Sequence, residues 1–201
     1  MQWWCFAQQE AWSWRWQPFL GVWVMVGLMA WAYVRLRRSV ARKEGRADTP
    51  AWRSWSFGGG LFLLWVSLDW PLGPLGASYF ASLHMAQYVA VGVAAPALLL
   101  LGLPDAAYRR LERRPRVMAA LRAVTHPLVA FLLFNGVMIL THWPSVVDAL
   151  MPTQAGSFVL DASWLMAGLV FWWPVLVPVP ERTGFTPLGK IGYLALNAFL
   201  I

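Results

Sequence analysis

The sequence predicts an all-α, multi-pass transmembrane helical bundle, and three observations carry that prediction. Its 201 residues are 59% hydrophobic and 12% charged, against about 45–50% apolar and about 25% charged in soluble domains. Too few polar side chains remain to coat a water-facing surface. The stretch from Tyr79 to Pro104 is long enough to cross a bilayer as a helix, and beyond a His84-Met85 pair near its start it holds little that is polar. Finally, Lys and Arg gather in alternate connections between apolar segments, which is how membrane proteins encode their orientation.

Residues 1–17 contain Trp3, Trp4, Trp12, Trp14 and Trp16. They read as an interfacial segment, because indole combines an apolar ring with an N–H that seeks water. The start has no positive n-region and carries Glu10, so it does not read as a signal peptide, and the first apolar helix is expected to be retained. The bundle then occupies residues 18–201, with about six spans. The first, 18–34, opens on Pro18, a residue suited to a helix's first turn. Arg35–Arg53 reads as a basic loop. In the second span, 54–70, Gly58, Gly59 and Gly60 permit close helix approach, and the Pro/Gly-rich Pro71–Gly76 breaks it. The third, 79–101, should kink at Pro96, which lacks an N–H and crowds the preceding turn. Asp105–Arg122 is a second basic block, part of it an amphipathic surface helix. The fourth and fifth spans are 125–143 and 157–177, with Pro144–Gly156 between them as a loop. The sixth, 188–201, is incomplete: it runs about 14 residues where a crossing needs about 20.

All Lys and Arg except Arg15 fall after the first, third and fifth spans, and none falls after the second or fourth. By the positive-inside rule the N-terminus faces outward, toward the periplasm of a bacterial inner membrane, and the basic loops face the cytoplasm. The high isoelectric point therefore reports topology and not nucleic-acid binding. Docking of anionic lipid or a partner is the alternative reading of the arginine clusters.

That topology sorts the chemistry-bearing residues. Asp69, His84, Met85, His142 and Asp161 all fall near the outer rim, whereas His126 lies at the opposite end. Imidazole, thioether and carboxylate together suit a transition metal, and thioether favours Cu(I). The candidate metal ligands are thus His84, Met85, His142 and Asp69. Plainer readings stand beside this one: a hydrogen-bonded interface histidine, a methionine in lipid contact, and helix terminators in Asp69-Trp70-Pro71 and His142-Trp143-Pro144. A haem held by His84 and His142 is a more distant reading. Cys5 is the single cysteine, which excludes an internal disulfide; it is either a small apolar residue or a metal-binding or redox thiol. No HExxH, phosphate loop or Ser/His/Asp arrangement occurs, so no enzyme is expected.

Several of these pieces together resemble the CtaG family of cytochrome c oxidase assembly factors. They are the basic first loop, Leu83-His84-Met85-Ala86-Gln87 leading to Ala95-Pro96 and Gly102-Leu103-Pro104, then His142-Trp143-Pro144, Phe171-Trp172-Trp173-Pro174 and Gly192-Tyr193-Leu194. The resemblance covers about residues 15–201. It implies a multi-helix membrane protein linked to copper delivery to a respiratory oxidase. The family reads His-Met-x-Gln-His where this chain has Tyr88 in the last place, and a further family histidine is replaced within Asp161-Ala162-Ser163. Two functions follow: a copper-binding assembly factor, or a structural subunit of a larger respiratory or photosynthetic membrane complex whose metal site has decayed. The expected partners are membrane lipids and the subunits of such a complex.

Overall fold

A computed structural model describes residues 2–8, 11–44, 50–177 and 185–200. Among them there is no strand, and the all-helical class is as the sequence predicts. The elements are α1 (Leu20–Glu44), α2 (Ala51–Leu68), α3 (Leu72–Ser78), α4 (Ala81–Val89), a π turn (Ala90–Ala94), α5 (Ala95–Gly102), α6 (Asp105–Glu112), α7 (Pro115–Val124), α8 (Pro127–Thr141), α9 (Pro144–Leu150), α10 (Gln154–Leu176) and α11 (Pro187–Leu200). Three helices are long and apolar enough to cross a membrane: Leu20–Arg42, Ala81–Gly102 and Gln154–Leu176. The pair α7 and α8, bent by 63°, makes a fourth if it counts as one span. Of the six anticipated segments, α2 carries Arg53 and several serines and glycines, and α11 is only 14 residues long.

The continuous helix from α4 through α5 is the centre of the bundle. α2 packs along one side of α5 and α10 along the other; α8 lies beyond α10, α1 outside α2, and α11 against α8. Glycine sets these approaches. A Cβ at Gly102 would sit 2.5 Å from Phe57 Cβ and 2.7 Å from the Arg53 carbonyl, so only glycine lets α5 meet α2 there. Of the three glycines in α2, Gly60 alone is in close contact, 2.9 Å from Leu99 Cγ by the same measure, whereas nothing lies within 4 Å of Gly58. On the other side, a Cβ at Gly168 would fall onto the Gly92 carbonyl and 2.6 Å from Pro96 Cγ.

The predicted disturbance at Pro96 takes the form of a π turn immediately before it. The Ala95 N–H reaches back five residues to the Ala90 carbonyl, a wider turn that accommodates a residue without an N–H. The Val93 carbonyl accepts a bond from Trp172 Nε1 at 2.9 Å, so the irregular turn is tied to α10.

Three expectations about connections are corrected. The basic loop begins later than expected, because α1 continues through Arg35, Arg37, Arg38 and Arg42 to Glu44. Arginine and lysine are good helix formers, and the Arg35 guanidinium lies 4.9 Å over the Trp31 ring. The turns at Pro71–Gly76 and Pro144–Gly156 contain the short helices α3 and α9. Residues 45–49 of the basic loop and 178–184, including Pro178, Pro180, Glu181 and Arg182, lie outside the described residues, as do Glu10 and Ile201.

The two ends are pinned differently. At the basic end Arg53 bonds Asp105 at 2.8 Å and the Leu103 carbonyl, while Arg110 reaches Ser39 Oγ at 3.0 Å. At the other end Asp69 is 1% exposed, and its two oxygens accept bonds from the Phe19 N–H at 2.9 Å and Trp23 Nε1 at 2.7 Å. Two donors compensate a buried carboxylate that would otherwise be costly. The N-terminal tryptophans split in role. Trp14 and Trp16 are exposed, as an interfacial segment requires, but Trp4 is buried and its Nε1 donates to Asp161 Oδ2 at 2.8 Å.

Candidate functional site: a paired-imidazole cluster

His84 lies in the first turn of α4, and His142 is the residue on which α8 ends. Their rings meet at one end of the bundle with centroids 6.2 Å apart and planes inclined by 64°. Two aromatic neighbours complete the cluster. Trp164 of α10 stacks on His142 at 5.7 Å with planes only 10° apart, and it meets His84 edge-on at 5.6 Å. Tyr88, one turn after His84, is buried and meets His142 edge-on at 5.3 Å.

The orientation of His142 is fixed by its own helix end. Its Nδ1 lies 2.8 Å from the Met138 carbonyl, which also accepts the His142 backbone N–H at 3.2 Å where α8 stops. A carbonyl only accepts, so Nδ1 carries a proton, and in the neutral ring Nε2 is the nitrogen with the lone pair. A backbone carbonyl holding one ring nitrogen is the usual support for an imidazole that binds metal through the other. Trp164 is fixed in turn, its Nε1 donating to Thr141 Oγ1 at 2.8 Å while the Thr141 hydroxyl donates to the Val137 carbonyl at 2.8 Å.

The other sequence candidates sit apart from this pair. Met85 is 47% exposed; adjacent residues on a helix point about 100° apart, so a helix that turns His84 inward turns its neighbour away. Asp69 is occupied by Phe19 and Trp23, as described above. Among the described residues no three His, Cys, Asp or Glu side chains are grouped closely enough to hold a metal ion. Gln87 is structural: its Nε2 donates to the Ser67 carbonyl at 2.6 Å, tying α4 to α2. Trp164 and Tyr88 were not singled out as site residues by the sequence; a tryptophan within an apolar run gives no signal until its neighbours are known.

A cavity of about 30 Å³ adjoins His84, lined also by Cys5, Asp161, Gln87, Ser157 and Trp164. That is room enough for a water molecule. The N-terminal segment closes over it. The Trp3 N–H donates to Gln154 Oε1 at 2.6 Å, the Ala7 N–H to the Met151 carbonyl at 2.9 Å, and the Gln8 N–H to Ser78 Oγ at 2.8 Å. Cys5, 6% exposed on this strap, packs as a small buried residue. Burial pushes its thiol pKa well up, helped by the negative fields of Asp161 and Asp69, so it is a poor nucleophile.

The fold and this end cluster define a polytopic helical membrane protein that positions paired imidazoles at one rim. The family model described as cytochrome c oxidase caa3 assembly factor (Caa3_CtaG) matches residues 27–201. The chain therefore belongs to that family of assembly factors, and the strap of residues 2–8 precedes the matched region. No curated protein and no solved structure matches the chain.

Proposed function

We propose that this CtaG-like membrane protein assists assembly of a copper-containing respiratory oxidase by holding a copper ion between His84 and His142 at its outer, periplasmic rim in a bacterial inner membrane. The observation that carries this reading is the pairing of two imidazoles from separate helices. Imidazole–metal bonds run about 2.0–2.1 Å, so two rings sharing an ion end to end have centroids roughly 6 Å apart. The observed 6.2 Å fits that spacing. Copper accepts imidazole ligands in either oxidation state, and a site with few ligands suits an ion that must be passed on. The protein's part is to hold and orient: the Met138 carbonyl sets the His142 tautomer, and Trp164 braces the ring. Met85, Asp69 and a haem have no part in this assignment.

A second reading is favoured by one observation. Where the family motif has its second histidine, Tyr88 stands 5% exposed against His142, and a phenol with a pKa near 10 is a poor copper ligand at neutral pH. On this reading the chain is an accessory subunit of a larger membrane complex, with a decayed site. Titration of the purified protein with Cu(I) against a chromophoric competitor separates the two. The assembly-factor reading expects about one tightly held ion, lost in His84→Ala and in His142→Ala. No tight binding, together with stoichiometric co-purification in a mature complex under mild detergent, would establish the subunit reading instead.

A further inference from the structure

The sequence between α5 and α8 is basic, and the structure gives it a shape that the site at the opposite rim does not use. α8 is apolar apart from Asn135 and Thr141, and α7 is bent from it by 63°. Spanning helices tilt on average by about 20° from the membrane normal, so α7 turns steeply away from the crossing direction. α7 turns Met118 onto the protein, and its C-cap Thr125 is buried as well. Val117, Leu121 and Val124 form an apolar line at helical spacing, and there Val117 is 42% and Val124 40% exposed. A helix that rests on the protein through one side and leaves an apolar line open needs another apolar surface beside it.

Arg113, Arg114 and Arg116 crowd the start of this helix, all exposed. Their side chains make no hydrogen bond or ion pair among the described residues, whereas the nearby Arg53 and Asp105 are committed to each other. Glu112 is the acidic neighbour, and it leaves residues 112–116 with an excess of positive charge. Open valines next to exposed guanidinium groups match the chemistry of a bilayer surface, where acyl chains would meet the apolar line and arginine stems reach toward phosphate.

We infer that α7 is an interfacial helix seated in the leaflet at the basic end of the bundle, where Arg113, Arg114 and Arg116 bind the phosphates of anionic phospholipids. The cationic charge and the guanidinium fork both favour anionic headgroups over zwitterionic ones. The site is separate from the paired imidazoles and does not depend on copper.

The test uses the full chain reconstituted in nanodiscs of phosphatidylcholine mixed equally with phosphatidylglycerol. Native mass spectrometry of the released protein should show phosphatidylglycerol retained over phosphatidylcholine. The triple variant Arg113→Gln/Arg114→Gln/Arg116→Gln should lose that preference several-fold, while the corresponding Arg→Lys variant keeps part of it. Nitroxide labels, introduced one at a time as Val124→Cys and Ala123→Cys in a Cys5→Ser background, read the seating with all three arginines intact. Val124 should relax faster with oxygen, which concentrates in acyl chains, and Ala123 with a water-soluble nickel chelate. Equal phosphatidylglycerol retention by wild type and the triple Gln variant would overturn the headgroup site. Nickel access at both labels would overturn the seating and place α7 in water, where an acidic protein surface becomes its partner.

Discussion

The indole of Trp164 lies flat on the imidazole of His142, 5.7 Å between centroids, while its Nε1–H is held by Thr141 of the helix that His142 terminates. One tryptophan thus fixes both the face and the anchoring turn of a histidine on another helix. Trp164→Phe keeps a ring in the stack and leaves the Thr141 hydroxyl its bond to the Val137 carbonyl; it should cost about 0.5–1.5 kcal/mol, the net worth of a hydrogen bond. Trp164→Ala also opens a cavity and should cost about 3–5 kcal/mol. Thermal unfolding in detergent measures both, and equal losses would mean that the ring contributes only its indole N–H.

Tyr88 stands where the resemblance places a second histidine, and its ring meets His142 edge-on. Tyr88→His should therefore supply a third imidazole and tighten Cu(I) binding by about tenfold, or about 1.4 kcal/mol. A competition titration reads this directly. An unchanged affinity would indicate that this position does not reach the ion.

The contact of Gly168 with the Gly92 carbonyl sets how close α10 comes to the π turn. Gly168→Ala should force the helices apart and destabilise the protein by about 1–3 kcal/mol. Gly136 has nothing within 4 Å of its missing Cβ, so Gly136→Ala should be neutral or stabilising by up to about 1 kcal/mol. Parallel unfolding curves distinguish steric contact from a general need for glycine in these helices.

The buried thiol of Cys5 gives the strap a pH signature. Its pKa is raised well above 9.0 by burial and by Asp161 and Asp69. The folded chain therefore keeps this proton to a higher pH than the unfolded chain does. The stabilisation is complete below the unfolded value and is lost as pH climbs toward the folded one. Stability of the wild type should fall above about pH 9, and Cys5→Ala should fall less steeply. Alkylation of the native thiol at neutral pH should be slow, and rapid labelling would show that the strap does not seal residue 5.

Much of this was legible in the sequence, and the remainder was hidden for identifiable reasons. The membrane class followed from charge poverty and the apolar runs. Depth counting brought His84 and His142 to one rim, because position along a span fixes height within a turn or so. Height is only one coordinate. Rotation about the axis separates Met85 from His84 although they are neighbours in sequence. Competition for donors was also invisible: Asp69 shares the rim, but Phe19 and Trp23 occupy its oxygens. The burial of Trp4 under its bond to Asp161 depends on a chain separation of 157 residues, which no local pattern encodes. The extra turns of α1 followed from arginine's helix propensity, which its charge overshadowed in the reading of a loop.

X-ray absorption at the copper edge, on protein loaded with one equivalent of Cu(I), tests the paired-imidazole site most directly. Coordination by His84 and His142 predicts two imidazole nitrogen scatterers in the wild type and one fewer in His142→Ala. A spectrum dominated by sulfur, or one left unchanged by His142→Ala, would contradict it.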